Sequence, residues 1–179
     1  ELCIKLLDKD QDRTRLELHN LKNIIRGTIE ETRQLIYDLR PMSIDDLGLL
    51  PTIERYVDKI TDQTNINIAI RNDLKEDLIL TPVMNVSIYR IIQEALNNAK
   101  KYSNAKNITI WLKNTDNSFI LVVKDDGEGF DIQSIKLNYE DNRGFGLSTM
   151  QERAYLLNGK CRIDSKLKIG TSIIVEFPI

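Results

Sequence analysis

The sequence predicts an α+β fold, in which one mixed β-sheet is covered on one face by helices and is preceded by a helical segment. Two observations lead to this prediction. Apolar residues follow helical spacing early in the chain, and the pattern changes to alternation at Ile66, Ile68 and Ile70. Beyond that point most predicted strands follow one another as hairpins, with helices interspersed, which is typical of a layered sheet-and-helix domain.

A heptad pattern defines the first helical segment. Seven residues are spaced alternately three and four apart, which places them on one stripe of a helix: Leu18, Leu21, Ile25, Thr28, Thr32, Leu35 and Leu39. Such a stripe must be buried against another helix or a partner chain. We therefore expect a homodimer through this N-terminal helix.

Pro41 ends this helix, because proline lacks an N–H group and moves the preceding residue out of helical angles. The polar stretch Ser43–Gly48 is predicted to be a hinge, and a second amphipathic helix is predicted at about Leu50–Thr64. The chain is accordingly divided into a partial helical dimerisation segment with its hinge, residues 1–48, and a second domain, residues 49–179.

The second domain is predicted to contain both strands and helices. Its further elements are a strand at Ile66–Ile70, a helix at Pro82–Tyr102, strands at Ile108–Leu112 and Phe119–Val123, a long loop at Asp126–Gly146, a helix at Leu147–Leu157 capped by Gly159, and strands at Cys161–Ser165 and Ser172–Phe177.

Composition excludes several classes of protein. The 25 basic and 27 acidic residues leave a net charge of −2, which argues against nucleic acid as a partner. The apolar runs are too short to span a bilayer, so no membrane segment is expected in this chain. Cys3 and Cys161 lack metal or redox spacing, which fits reduced thiols and a cytoplasmic setting. The chain does not begin with Met and is expected to be a fragment, so membrane anchoring of the full-length protein stays open.

Three segments carry residue types suited to nucleotide chemistry, and each has a simpler interpretation. Glu94 and Asn98 lie one helical turn apart and offer oxygen ligands suited to Mg²⁺, while Lys101 could meet a phosphate. Taken alone, these residues fit an ordinary solvated helix face better.

The other two segments contain paired glycines. The run DDGEGF, residues 125–130, follows a strand and combines an acid with glycines that allow close backbone approach, but by itself it fits a hairpin turn. The run GFGL, residues 144–147, opens a helix, where bare N–H groups can meet phosphate. Neither run is a P-loop or a full dinucleotide-binding motif.

Taken together and in order, these segments resemble the nucleotide-binding boxes of the GHKL superfamily. QEALNNAKK is similar to its N box, DDGEGF and GFGLSTMQERA to its two glycine boxes, and GTSIIVEFP to its closing strand. The resemblance is strongest to the ATP-binding catalytic domain of sensor histidine kinases. The segments YDLRP and DDLGL resemble the DegS-like and NarX-like subfamily, which signals to response regulators with LuxR-type DNA-binding domains.

The resemblance implies a Bergerat-type α/β sandwich that binds ATP with Mg²⁺. On the phosphate side it assigns Asn98 as a Mg²⁺ ligand, Glu94 as a metal-water or general-base contact, and Lys101 to the phosphates. Tyr102 stands where the subfamily often has His and could stack on the ligand or donate a hydrogen bond.

On the base side, the resemblance assigns Asp125 to the adenine amino group and Thr171 to a water-mediated adenine contact. Glycines shape the pocket and close an ATP lid of about residues 131–143. The glycines concerned, together with the leucine of the second glycine box, are Gly127, Gly129, Gly144, Gly146 and Leu147.

Besides Tyr102, two residues depart from the family pattern. Asp126 replaces a frequent Asn and is expected to add negative charge near the phosphates, which would strengthen Mg²⁺ dependence. Lys168 occupies a position that is often Gly, and this change is expected to be harmless.

His19 is the single histidine of the chain, and it is followed by Asn20, which cannot take a proton at neutral pH. We expect His19 to be a solvated helix residue and the phosphate-accepting histidine to lie before Glu1. The chain would then bind ATP and dimerise without phosphorylating itself. The alternatives are a GHKL ATPase or serine kinase, and a degenerate ATP-binding dimer that serves only as a scaffold.

Overall fold

A computed structural model of the chain describes residues 13–15, 18–19, 21–22, 42–75, 78–132 and 142–179. Contacts along the chain divide it into two compact units, Glu1–Pro41 and Met42–Ile179. The described residues of the first unit are helical, and they include the predicted seam residues Leu18 and Leu21, each about half exposed. The other five seam positions lie outside the described residues.

The second unit is built on one mixed sheet. Its elements are α1 (Met42–Leu47), α2 (Leu49–Gln63), β1 (Asn67–Asp73), α3 (Pro82–Tyr102), β2 (Asn107–Asn114), β3 (Ser118–Asp125), α4 (Asn142–Tyr155), β4 (Lys160–Lys166) and β5 (Gly170–Pro178). The described strands are ordered β1-β2-β3-β5-β4. Only the β1–β2 pair is parallel among them, because α3 carries the chain across between these two strands.

One face of the sheet forms the core with helices α2, α3 and α4. The strands alternate between buried and more exposed positions, so their inward side chains form rows that the helices cover. The fully buried strand residues include Ile108, Ile110, Leu112, Phe119, Leu121, Val175 and Phe177. The predicted α+β sandwich with one covered face is therefore confirmed.

Helix α3 lies at the centre of this covering layer. It begins where Thr81 accepts a hydrogen bond from the N–H of Met84 at 3.3 Å and where Pro82 supplies a preset helical φ. At its other end, Ser103 donates its hydroxyl to the carbonyl of Ala99 at 2.7 Å. Both ends are thus fixed, and the helix holds its polar residues at defined positions along the sheet.

Two segments predicted to be non-helical are helical in the structure. The stretch predicted as a hinge is mostly helical, because Ile44 is buried in the core and stabilises α1 despite the polar composition around it. Gly48, with φ of +84°, separates α1 from α2. Helix α4 begins at Asn142, so Gly144 and Gly146 lie inside the helix and not in the predicted loop.

The turn after α4 also differs from the prediction in its detail. Asn158, with φ of +57°, takes the left-handed position expected of Gly159. Gly159 is needed for a different reason, since a Cβ there would lie 2.6 Å from the carbonyl oxygen of Glu176. On the next strand, Cys161 is a partly buried free thiol whose pKa is raised to about 11 by burial.

None of the helices in the described part of the chain is both long and apolar enough to cross a bilayer.

The β4–β5 turn generates a stability prediction. Lys168 has φ of +64°, which is strained for any residue with a Cβ. Lys168→Gly should therefore raise the free energy of unfolding by about 0.5–1 kcal/mol, since relief of strain exceeds the added chain entropy of glycine. Urea unfolding measures this change. Lys166→Gly, inside a strand, is the matched control and should destabilise the protein; equal effects of both would contradict the prediction.

Candidate functional site

An open pocket of about 490 Å³ lies between α3 and the ends of β3 and β5. The lining residues are Ala95, Asn98, Ala99, Tyr102, Ser103, Asp125, Gly129, Phe130, Leu147, Thr171 and Ile173. Six residues that the sequence analysis singled out, from four separate segments, are therefore brought to one cavity.

Helix α3 supplies one wall of the pocket. Ala95, Asn98, Ala99 and Tyr102 follow the i, i+3, i+4, i+7 spacing and so share one stripe. The two alanines leave the space that the pocket occupies, and the sequence analysis did not select them. Their position on the stripe of Asn98 is the signal that could have identified them.

Glu94 and Asn98 form a hydrogen-bonded pair at the edge of this wall. The Nδ2 of Asn98 donates to Oε1 of Glu94 at 3.1 Å, which leaves the carboxamide oxygen of Asn98 available. Gly146 of α4 lies directly against this pair, and a Cβ there would collide with Oε1 of Glu94. A side chain at position 146 would therefore displace the carboxylate of Glu94.

This oxygen pair fits a magnesium ion. A carboxylate and a carboxamide oxygen are hard ligands, and Mg²⁺ binds through few protein ligands while keeping several waters. No group of three or more His, Cys, Asp or Glu side chains among the described residues could hold a metal by itself. The donor set therefore suits Mg²⁺ held jointly with a ligand better than a dedicated protein site.

Four predicted site residues that the structure describes are not among the lining residues: Glu94, Lys101, Gly127 and Gly146. Lys101 is exposed on α3, three residues beyond Asn98. Gly144 lies in the first turn of α4 by its position in the sequence. The predicted lid, residues 131–143, lies for the most part outside the described residues.

Asp125 supplies the buried charge of the site. It ends β3, is 9% exposed, and its Oδ1 accepts the N–H of Gly127 at 2.9 Å. Burial raises the pKa of this carboxyl group, while hydrogen bonds from the backbone of Gly127 and Thr171 act in the opposite direction. A partly desolvated carboxylate with acceptor capacity left is suited to bind a donor group of a ligand.

Gly127 and Gly129 give the following loop its shape. A Cβ on Gly127 would collide with the carbonyl oxygen of Ser103, and one on Gly129 would collide with the carbonyl oxygen of Lys166. Gly129 also has φ of +59°, so glycine is required there for both reasons. The loop is consequently packed tightly between the end of α3 and the end of β4.

Asp126 does not have the role expected of it. Its Oδ1 accepts the N–H groups of Lys106 and Asn107, each at 2.9 Å, and its Oδ2 accepts from the side chain of Asn107 at 2.8 Å. These bonds hold the pKa of Asp126 below its usual range. The carboxylate caps the start of β2 and is absent from the pocket lining, so the expected charge near the phosphates is not supported.

Ser165 is a residue of the site that the sequence analysis missed. Its Oγ accepts the N–H of Phe130 at 2.9 Å and lies 2.9 Å from Oγ1 of Thr171. Ser165 therefore joins two lining residues without lining the pocket itself. A lone Ser in a strand carries no signal by which sequence alone could have identified it.

The two neighbouring aspartates should respond to pH in opposite ways. Asp125→Asn removes a carboxylate whose folded-state pKa is raised, so the protein should be more stable at pH 7, and the gain should vanish below the ordinary aspartate pKa. Asp126→Asn removes one whose pKa is lowered, so stability should fall at pH 7, and the loss should vanish in acid.

Thermal unfolding of both variants between pH 3 and pH 8 tests this pair, with each aspartate serving as the control for the other. If both variants were more stable than the wild type at pH 7, or both less stable, the buried environment of Asp125 and the hydrogen-bonded environment of Asp126 would be contradicted.

Comparison with known proteins identifies the family. The histidine kinase-, DNA gyrase B- and HSP90-like ATPase family matches residues 84–179. The signal transduction histidine-protein kinase/phosphatase DegS of Bacillus subtilis (strain 168) is 40% identical over 166 residues, covering 91% of this chain and 42% of its own length. The protein of the same name from Brevibacillus brevis is 34% identical over 172 residues, covering 96% of this chain and 43% of its own length.

Solved structures agree with the fold. The blue-light activated histidine kinase of Erythrobacter litoralis superposes with a TM-score of 0.58 at 18% identity, over 83% of this chain and 46% of that chain. The mycobacterial sensor histidine kinase MprB superposes with a TM-score of 0.53 at 20% identity, over 70% of this chain and 91% of that chain.

The chain spans less than half the length of the curated relatives it matches. The family match, however, extends over more than half of the chain and includes every residue that lines the pocket. The chain therefore belongs to the histidine kinase-, DNA gyrase B- and HSP90-like ATPase family, and it contains an ATP-binding catalytic domain of the sensor histidine kinase type.

Proposed function

We propose that this chain binds ATP with Mg²⁺ and transfers the γ-phosphate to a histidine, for relay to an aspartate of a response regulator. The observation that carries the proposal is the convergence of Asp125 with the Glu94–Asn98 pair around one pocket. The two DegS relatives are named as histidine-protein kinases, which supports the choice of histidine as acceptor.

The adenine base would lie at the Asp125 end of the pocket. The carboxylate of Asp125 would accept a hydrogen bond from the adenine amino group, and Thr171 would hold the base through a water. Ala95, Ala99 and Ile173 line the same cavity and offer apolar contact to a flat ring. Tyr102 lines this wall as well and would stack on the ligand or donate to it.

The phosphates would lie near Asn98, Glu94 and the start of α4. Mg²⁺ would neutralise phosphate charge when bound, with the carboxamide oxygen of Asn98 as its ligand. Glu94 would contact a metal-bound water or act as general base, and Lys101 would reach the phosphates from the same helix. Gly144 and Gly146 would close the nucleotide lid over them. Most of the catalytic effect in such a site comes from positioning and charge stabilisation.

The acceptor histidine would be a residue other than His19. His19 is exposed on its helix and is followed by Asn20, which cannot serve as a base. The proposed partners are a second copy of the chain, bound through the N-terminal helix, and a response regulator with a LuxR-type DNA-binding domain. The half-exposed Leu18 and Leu21 support the dimer, and sedimentation equilibrium that finds only monomer would rule it out.

Asn98 and its neighbour Asn97 offer a matched test of the phosphate end. Asn98→Ala should weaken Mg·ATP binding about 10-fold to 100-fold, because it removes the ligand oxygen and the bond that orients Glu94. Asn97 accepts the hydroxyl of Tyr56 at 3.2 Å. Asn97→Ala should cost only about 0.5–1.5 kcal/mol of stability and leave binding nearly unchanged.

Isothermal titration with Mg·ATP, and with ATP in EDTA, measures both variants. Equal loss of affinity in the two variants would contradict the assignment of Asn98.

Phosphoryl transfer is tested with γ-labelled ATP and Mg²⁺. The chain should bind ATP without acquiring acid-labile label, and His19→Ala should behave identically. Acid-labile label lost in His19→Ala would make His19 the acceptor, and acid-stable label would indicate a serine kinase. A chain that does not bind ATP would indicate a scaffold.

A further inference from the structure

The face of the sheet that points away from the helices has no part in the pocket. Strand residues alternate between the two faces, so the positions between the core residues lie on this outer face. The strand register aligns one outer residue from each described strand, and we call this line the outer row: Arg71, Trp111, Val122, Ile174 and Arg162. Three apolar side chains therefore lie side by side between two arginines.

The apolar centre of the outer row is not packed into the core. Trp111, Val122 and Ile174 are partly exposed, and among the described residues they stand apart from the hydrophobic core. Ile120 has the same environment and lies two residues from Val122 on β3, so the apolar group has four members. Neighbours across strands contact one another on a sheet face. Contiguous apolar surface with a polar border is a mark of protein interaction sites.

Trp111 is held in place by its polar neighbours. Its Nε1 donates to Oδ2 of Asp73 at 2.7 Å, and the same oxygen accepts from Nε of Arg71 at 2.8 Å. The guanidinium carbon of Arg71 lies 4.6 Å from the centre of a ring of Trp111, and Nζ of Lys113 lies 4.1 Å from it. Tryptophan and arginine often dominate binding energy, and a side chain already held in place loses less conformational entropy when a partner binds.

The charge of the outer face favours an acidic partner. The outer row and the rows on either side of it contain five basic and three acidic side chains, whereas the whole chain has a net charge of −2. Two of the three acids form ion pairs with the arginines of their own strands, each at 2.8 Å. The excess positive charge therefore lies on the lysines that border the apolar centre: Lys113, Lys124 and Lys160.

We propose that the outer face is a docking surface for an acidic segment of a partner protein, in which apolar side chains are flanked by carboxylates. The apolar side chains of the segment would contact Trp111, Val122 and Ile174, and its carboxylates would pair with the bordering lysines. A second copy of this face would bring the same positive charge and would be repelled. Because the pocket lies on the helix side of the sheet, this inference goes beyond the proposed function and does not depend on it.

Selection from a displayed library of random peptides tests the proposal without knowledge of the partner. The library is bound to the 179-residue chain after peptides that also bind Trp111→Ala have been removed. The peptides that remain should be rich in Asp and Glu beside apolar residues. If none remain, or if they lack charge or are rich in Lys and Arg, the proposal is overturned. Val122→Lys replaces Trp111→Ala if that variant does not fold.

Titration of a selected peptide then locates its site. Trp111 is the only tryptophan of the chain, so binding should shift its fluorescence emission. Lys124→Glu should weaken binding about three- to tenfold, because a favourable charge pair becomes a repulsive one. Lys59→Glu, at an exposed position of α2, is the matched control and should bind as the wild type does. An unchanged emission, or equal losses of affinity in the two variants, would contradict the proposed surface.

Sedimentation equilibrium separates a partner protein from a second copy of the chain. Association of the wild type that is lost in Trp111→Ala would show that a second copy covers the outer face, and it would overturn the acidic partner. The same association in both proteins, together with peptide binding, supports the proposal. Binding of Mg·ATP is measured separately, so failure of the proposed function would not be mistaken for failure of the docking surface.

Discussion

The packing of the β4–β5 hairpin against the loop after β3 is the constraint on which the pocket depends. Gly129 fits beneath the carbonyl of Lys166 only because it lacks a Cβ, and the same is true of Gly170 beneath the carbonyl of Asp125. Two backbone N–H groups of this region also find acceptors across the contact, on Glu128 and Ser165. The contact brings the end of β3 beside the start of β5, so that two distant segments of the chain face one cavity.

The opposite side of the site depends on a second close approach. Helix α4 meets α3 at Gly146, where a Cβ would displace the carboxylate of Glu94 from its hydrogen bond with Asn98. Glycine normally weakens a helix interior by about 0.5–1 kcal/mol. Further along α4, Met150 and Ala154 are buried in the core, which stabilises the helix. The glycine is thus retained where helix propensity alone would disfavour it.

The site also contains a charged group whose burial is unfavourable, the carboxylate of Asp125. Asp125 and Asp126 are adjacent, but successive side chains at the end of a strand point to opposite sides of the sheet. One carboxylate is therefore buried beside the pocket and has a raised pKa, while the other is exposed, caps two backbone N–H groups and has a lowered pKa. The exposed aspartate supports the loop geometry that places the buried one. Binding chemistry and structural support are divided between two residues of the same type.

The sequence by itself determined the class of fold, most of the elements, and the main polar residues of the pocket. Those predictions rest on periodicity and on local motifs, which depend on residues close together in the chain, as in the stripe of Asn98 and Tyr102 on α3. Only the tertiary structure decided three other features. Residues 42–47 are helical, the side chain of Asp126 turns towards the start of β2, and Ser165 accepts a hydrogen bond from the loop after β3. Each of these depends on a partner that is distant in sequence: the core around Ile44, the start of β2, or the loop after β3. A polar stretch, a carboxylate or a single hydroxyl has the same local signature whichever partner it meets, so its role emerges only when the chain has folded.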